Sequence, residues 1–199
     1  NNLHHVYYKQ SSGTQGGYGT WISVASDTGL DFGTPAMFNA GDTVGLACAF
    51  QGNSSVSQSQ SLVVYRDDGN SNYLNGLMGF RDGSTFDFGT EDTFYAGNLQ
   101  NGRPKVDWEE DRDRFVVAWG QGTSGVNSRP LGNFAYATVS GANVTGAPVG
   151  NYIMYGDGSY STGAFDHPSL VYDPNSKKSI IFFKNEMHDN EGDYIIAYY

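Results

Sequence analysis

With 199 residues, a formal net charge of −10 and a pI near 4.6, the chain carries a surface that repels nucleic acid and anionic lipid at long range. No apolar run approaches the ~20 residues of a membrane-crossing helix. Aromatics at 15% and charged residues at only 16% exclude a disordered chain.

The length suits one domain or a short repeat array. The chain starts with Asn rather than Met, so it is expected to be a segment of a longer polypeptide. A single cysteine, Cys48, excludes an internal disulfide. Its setting in Leu46-Ala47-Cys48-Ala49-Phe50 predicts a small buried hydrophobe.

In chain order, the first predicted element is His5-Val6-Tyr7-Tyr8-Lys9-Gln10, an apolar run that ends in polar residues. Its shape returns as Ser61 to Gly69, Arg114 to Gly122 and Ser179 to Asn185. The anchoring aromatics Tyr8, Tyr65, Trp119 and Phe183 lie 57, 54 and 64 residues apart. Self-similarity on this scale marks one supersecondary unit copied several times. A preceding run joins each later anchor through a polar turn: Val44 to Phe50, Lys105 to Trp108, and Ser169 to Tyr172. The Gly, Asn, Asp and Pro residues between them predict antiparallel hairpins.

A third run follows each anchor, at Gly19 to Ser26, Leu77 to Arg81, Phe134 to Val139 and Tyr194 to Tyr199. After a bend comes a fourth, at Ala36 to Asn39, Asp92 to Ala96 and Tyr152 to Tyr155. The bends match closely, with Asp31-Phe32-Gly33-Thr34 repeated as Asp87-Phe88-Gly89-Thr90 and a degenerate copy at Asn143 to Pro148. No segment carries an apolar 3.6-residue period, so helix content should be close to nil.

Anchors apolar on both faces predict sheets covered by other sheets. The expected fold is all-β: a propeller-like array of antiparallel four-stranded blades, in units 1–43, 44–102, 103–166 and 167–199. A β-sandwich or linear β-solenoid is the second choice. By this count the first unit lacks its leading strand and the last its trailing strand. Those strands are expected from a longer parent or a neighbouring chain, because open edges invite pairing.

These units resemble repeated segments in tail-fibre and other virion structural proteins of tailed bacteriophages, marine ones especially. The resembling residues are Val63 to Tyr73, Phe86-Asp87-Phe88-Gly89-Thr90 and Tyr136 to Gly141. The resemblance implies a virion or extracellular location. It also implies identical subunits or other virion proteins as partners, and a role in binding a host-surface glycan or protein rather than catalysis. A capsid or tail decoration that stabilises the assembly is the first alternative. A second, looser resemblance joins Asp27 to Phe32 to the Asp box of sialidase-like propellers, where the box is a structural turn. That match bears on propeller geometry only; a glycan-cleaving propeller enzyme is the other alternative.

Glycosidase chemistry needs two facing carboxylates. Asp107, Glu109, Glu110, Asp111, Asp166, Asp173, Glu186 and Asp189 are available, but most lie in predicted hairpin turns. Asp107 is the exception, inside a strand. The run Glu109 to Arg114 reads as a solvated hairpin tip. His4 and His5 are adjacent in a strand and point to opposite faces, which argues against one shared metal. No cofactor is expected, although two oxygen-rich loops offer calcium ligands: Asp67 and Asp68 in one, Asp189 and Asp193 in the other. Tyr73 beside Asn70 and Asn72, and Tyr152, Tyr155 and Tyr160 around Asp157, combine aromatic faces with hydrogen-bonding groups. That combination suits sugar or protein contact.

Overall fold

The computed structural model describes residues 3–13, 15–26, 29–52, 59–99, 103–121, 131–148, 165–185 and 191–197. These residues form four antiparallel sheets and no α-helix.

Sheet 1 contains β1 (Leu3–Lys9), β2 (Gly17–Ser26), β3 (Gly29–Phe32) and β4 (Ala36–Asn39). Sheet 2 contains β5 (Thr43–Phe50), β6 (Gln60–Asp67), β7 (Tyr73–Asp82), β8 (Thr85–Phe88) and β9 (Asp92–Tyr95). Sheet 3 runs in order through β10 (Lys105–Glu109), β11 (Arg114–Gln121), β12 (Leu131–Ser140) and β13 (Asn143–Pro148). Sheet 4 contains β14 (Phe165–Asp173), β15 (Lys178–Asn185) and β16 (Glu191–Ala197). The run predicted at Tyr152 to Tyr155 lies outside the described residues.

The anchor runs become β1, β6, β11 and β15. Their register is constant: Tyr65 faces Asn75, Trp119 faces Asn133 and Phe183 faces Asp193 across the ladder to the next strand. Strand β6 is buried on both faces from Gln60 to Tyr65, as is β11 from Phe115 to Gly120, because sheets cover them front and back. Turn geometry follows residue chemistry. Ser71, Asn72, Asp113 and Lys177 adopt positive φ at hairpin tips. Gly45 (φ 65) lies where the β5–β6 register slips, a bulge that a side chain would strain.

Two expectations about the outer strands are corrected. The bends at Asp31-Phe32-Gly33-Thr34 and Asp87-Phe88-Gly89-Thr90 are themselves partly strand. In sheet 1, β3 and β4 pair in tandem along one edge of β2, and in sheet 2, β8 and β9 do the same along β7. The break falls at glycine, where Gly33 N–H donates to Trp21 O and Gly89 N–H donates to Met78 O, each at 2.9 Å. The copy at Asn143 to Pro148 is the continuous strand β13.

The sheets pack face to face in chain order, each touching chiefly its sequence neighbours. Between sheets 1 and 2, Tyr7 and Phe38 meet Val63, Tyr65 and Leu77. Between sheets 2 and 3 lies the largest core, with Leu62, Val64, Leu74, Met78 and Phe94 against Trp108, Phe115, Val117 and Trp119. Between sheets 3 and 4, Ala118 and Phe134 meet Ile181 and Phe183. Cys48 is exposed rather than buried. It shares the sheet-1 side of β5 with Phe50, and among the described residues sheet 1 has no strand inside β1 to cover that side.

Candidate functional site

The turn from β6 to β7 gathers Asp67, Asp68, Asn70, Asn72 and Tyr73, and polar chemistry fixes its shape. Asp67 Oδ1 accepts from Gly69 N–H at 3.0 Å, and Asp67 O accepts from both Asn70 N–H (3.1 Å) and Asn72 N–H (3.0 Å). This is an aspartate folding the chain onto itself. Asp68 accepts a bidentate pair from one edge of the Arg66 guanidinium, from Nε to Oδ1 and from Nη2 to Oδ2 at 2.9 Å. Arg66 Nη1 also donates to Leu99 O at 3.0 Å. The two carboxylates proposed for calcium are thus engaged with the protein's own donors.

The turn is tied to the links between sheets. Asp68 N–H donates to Asp42 O at 2.8 Å, Leu99 N–H to Asn72 O at 3.1 Å, and Asn72 Nδ2 to Asn98 Oδ1 at 3.2 Å. Lys9 Nζ lies 2.9 Å from Asp42 Oδ1. Exposed Asn70, Ser71 and Asn98 surround half-buried Asn72 and Tyr73. The result is a hydrogen-bonded turn that carries three side-chain amides and Tyr73. Asn98 was invisible in the sequence, because it joins from 26 residues away.

Tyr152, Tyr155, Asp157, Tyr160 and Asp189 lie outside the described residues. Asp193 falls in β16, opposite Phe183. The strand ends Pro148 and Phe165, and Asn185 and Glu191, open at the same end of their sheets as Asp67 and Tyr73.

The acid–base candidates are drawn into structural bonds. Asp107 accepts from its neighbour Trp108 N–H at 2.9 Å and, across the seam, from Tyr172 N–H at 2.6 Å. Asp92 likewise takes Gly146 N–H of sheet 3 at 2.7 Å.

Glu109 overturns the reading of its run as a solvated tip, since its side chain is fully buried. It accepts from Arg114 Nε at 2.6 Å and from Ser179 Oγ of sheet 4 at 2.7 Å. Arg114 in turn lies over the Tyr136 ring, 3.3 Å from its centroid. The tip proper, a 3-10 turn at Glu110–Arg112, remains at the surface. There Asp111 meets Lys177 Nζ at 3.3 Å, and a hydrogen bond from Tyr172 heads the causes that hold its carboxyl below the usual range.

Two clusters come closest to catalytic geometry. Ser61 Oγ lies 2.6 Å from both His5 Nδ1 and Tyr7 OH. Ser61 is buried, with Phe50 and Phe86 packed on the His5 ring. Burial lowers His5 to about 4 and pushes the Tyr7 phenol up. In the second cluster Tyr65 OH donates to Glu91, which also accepts from Asn75 Nδ2 at 3.1 Å. Burial first, and the Glu91 carboxylate second, push Tyr65 upward, opposite to what a tyrosine nucleophile requires. Among the described residues, no group of three or more His, Cys, Asp and Glu is arranged to hold a metal ion.

No family model, curated protein or solved structure matches this chain.

Proposed function

We propose that the chain is a non-enzymatic structural and adhesive component of a virion appendage. It is built as a propeller-like stack of blades, and one end presents amide-rich turns to a host-surface glycan or protein. The observation that carries this reading is the ledge of Asn70, Asn72, Asn98 and Tyr73, braced by the Arg66–Asp68 pair and the sheet links. Sugars are recognised by preformed amide donors and acceptors beside an aromatic face, and a braced ledge loses little entropy on binding. The engaged states of Asp107 and Glu109 and the raised Tyr65 weigh against a glycan-cleaving enzyme.

A glycan array probed with the purified chain tests the proposal. Binding that falls at least about tenfold in both Tyr73→Ala and Asn70→Ala is expected, a loss of roughly 1.4 kcal/mol. An array without hits would overturn the adhesive reading. Sialoside turnover that disappears in Asp107→Ala would replace it with the enzymatic one.

A decoration role has its own support in the two outermost sheet faces.

A further inference from the structure

Each sheet has a rear face toward the sheet before it and a front face toward the sheet after it. The anchor aromatic always points to the rear. Tyr65 packs on Phe38 of sheet 1 (5.0 Å between centroids), and Trp119 on Tyr95 of sheet 2 (6.1 Å). Phe183 lies in the cluster with Ala118 and Phe134 of sheet 3. The equivalent residue in sheet 1 is Tyr8. It is 38% exposed and stacks only on Tyr18 of its own sheet among the described residues (5.7 Å). Around it on the same face lie Val24, Leu30, Phe32 (63% exposed) and Met37, placed there by the pairs Val24–Leu30, Ile22–Phe32 and Tyr18–Met37.

The residue before each anchor points forward. Tyr7 enters the seam with sheet 2, Val64 the seam with sheet 3, and Ala118 the seam with sheet 4. Its equivalent in sheet 4 is Phe182, 47% exposed, paired with Tyr194 at 60% and flanked by exposed Val171. Among the described residues, the sheets therefore repeat one front-to-rear contact three times and leave one half of it exposed on sheet 1 and the other half exposed on sheet 4. Large apolar side chains gathered on a single sheet face mark an interaction surface.

We propose that these halves are each other's partners: the rear face of sheet 1 docks on the front face of sheet 4 of a second copy. The occupant is a copy of this chain because the two faces are the halves of a contact that its own sheets already make. Such a contact is heterologous, so the copies either close a ring or grow as a filament. Two copies of four sheets make eight, within the usual range of closed propellers. The proposal does not depend on glycan binding.

Sedimentation velocity over about 1–200 µM tests it, a span that covers micromolar affinities. Self-association is expected. Phe32→Asp and Phe182→Asp should each weaken it at least about thirtyfold, as removal of a central interface anchor does. Both positions are exposed, so circular dichroism should show unchanged folds. The decisive arm mixes the two variants. Phe32→Asp keeps a sound front face and Phe182→Asp a sound rear face, so the mixture should form a 1:1 complex that neither forms alone. A wild-type chain that stays monomeric overturns the second copy as occupant and leaves the faces to a different protein. Association lost in only one of the two variants, or absent from the mixture, overturns the head-to-tail arrangement.

Discussion

The seam between sheets 2 and 3 and the seam between sheets 3 and 4 join equivalent faces by different chemistry. The first is an apolar interdigitation centred on Trp108, Phe115 and Trp119, with Asp92 accepting one polar tie from Gly146 N–H at its margin. Among the described residues the second has fewer apolar members, and its polar ties are the buried Glu109, shared by Arg114 and Ser179, and the Asp107 bond to Tyr172 N–H. Apolar packing is non-directional and stabilises in proportion to the area removed from water. A buried ion pair adds little net stability, because desolvation offsets its attraction, yet it allows one alignment only. The repeat thus separates adhesion from register: the middle seam supplies the first and the last seam the second.

The sharpest way to break the contrast is Trp119→Ala, which empties the middle seam and should cost about 4 kcal/mol in a denaturant melt. A loss under about 1 kcal/mol would mean that the seam collapses around the void and is not close-packed. Next comes Glu109→Ala, which strands the Arg114 charge in the interior and should cost about 3 kcal/mol. Adding Arg114→Met should recover much of that loss, because the penalty belongs to the unpaired charge. If the double variant is as weak as the single, the network is packing rather than charge.

The smallest effect concerns the first seam. His5 is held neutral there at a value near 4, below the ordinary 6.5. Above pH 6.5 the imidazole is neutral in both folded and unfolded chains and contributes no pH dependence. As pH falls from 6.5 toward 4, only the unfolded chain takes up the proton, so stability should decline by about 2 kcal/mol, allowing for partial solvent screening. A His5→Phe variant should flatten that part of the profile. An unchanged profile would place the acid sensitivity elsewhere.

The strands were legible because the anchors carry their burial in their own sequence. Leu62 to Tyr65 and Phe115 to Trp119 are apolar on both faces, so no partner need be known. Glu109 was misread because its burial is conferred by Ser179, 70 residues away, and sequence alone ranks a charged run as solvated. Cys48 failed in the opposite sense. Its neighbours Ala47 and Ala49 pack inward, but the alternate face of the strand is exposed, because among the described residues no strand of sheet 1 covers it. The Asn70–Tyr73 ledge was half visible: turn chemistry located it, whereas Asn98 and the Arg66 brace arrive from other parts of the fold.

The halved outer strands of sheets 1 and 2 bear on how this protein goes wrong. Strands β3, β4, β8 and β9 are four residues each, and a rim broken that often offers an incoming chain no long ladder to extend. Fibril growth from those margins is disfavoured, while β16, seven residues long, keeps an uninterrupted margin among the described strands. Under partial denaturation, amyloid-like templating should therefore avoid the split outer rims of the first two sheets.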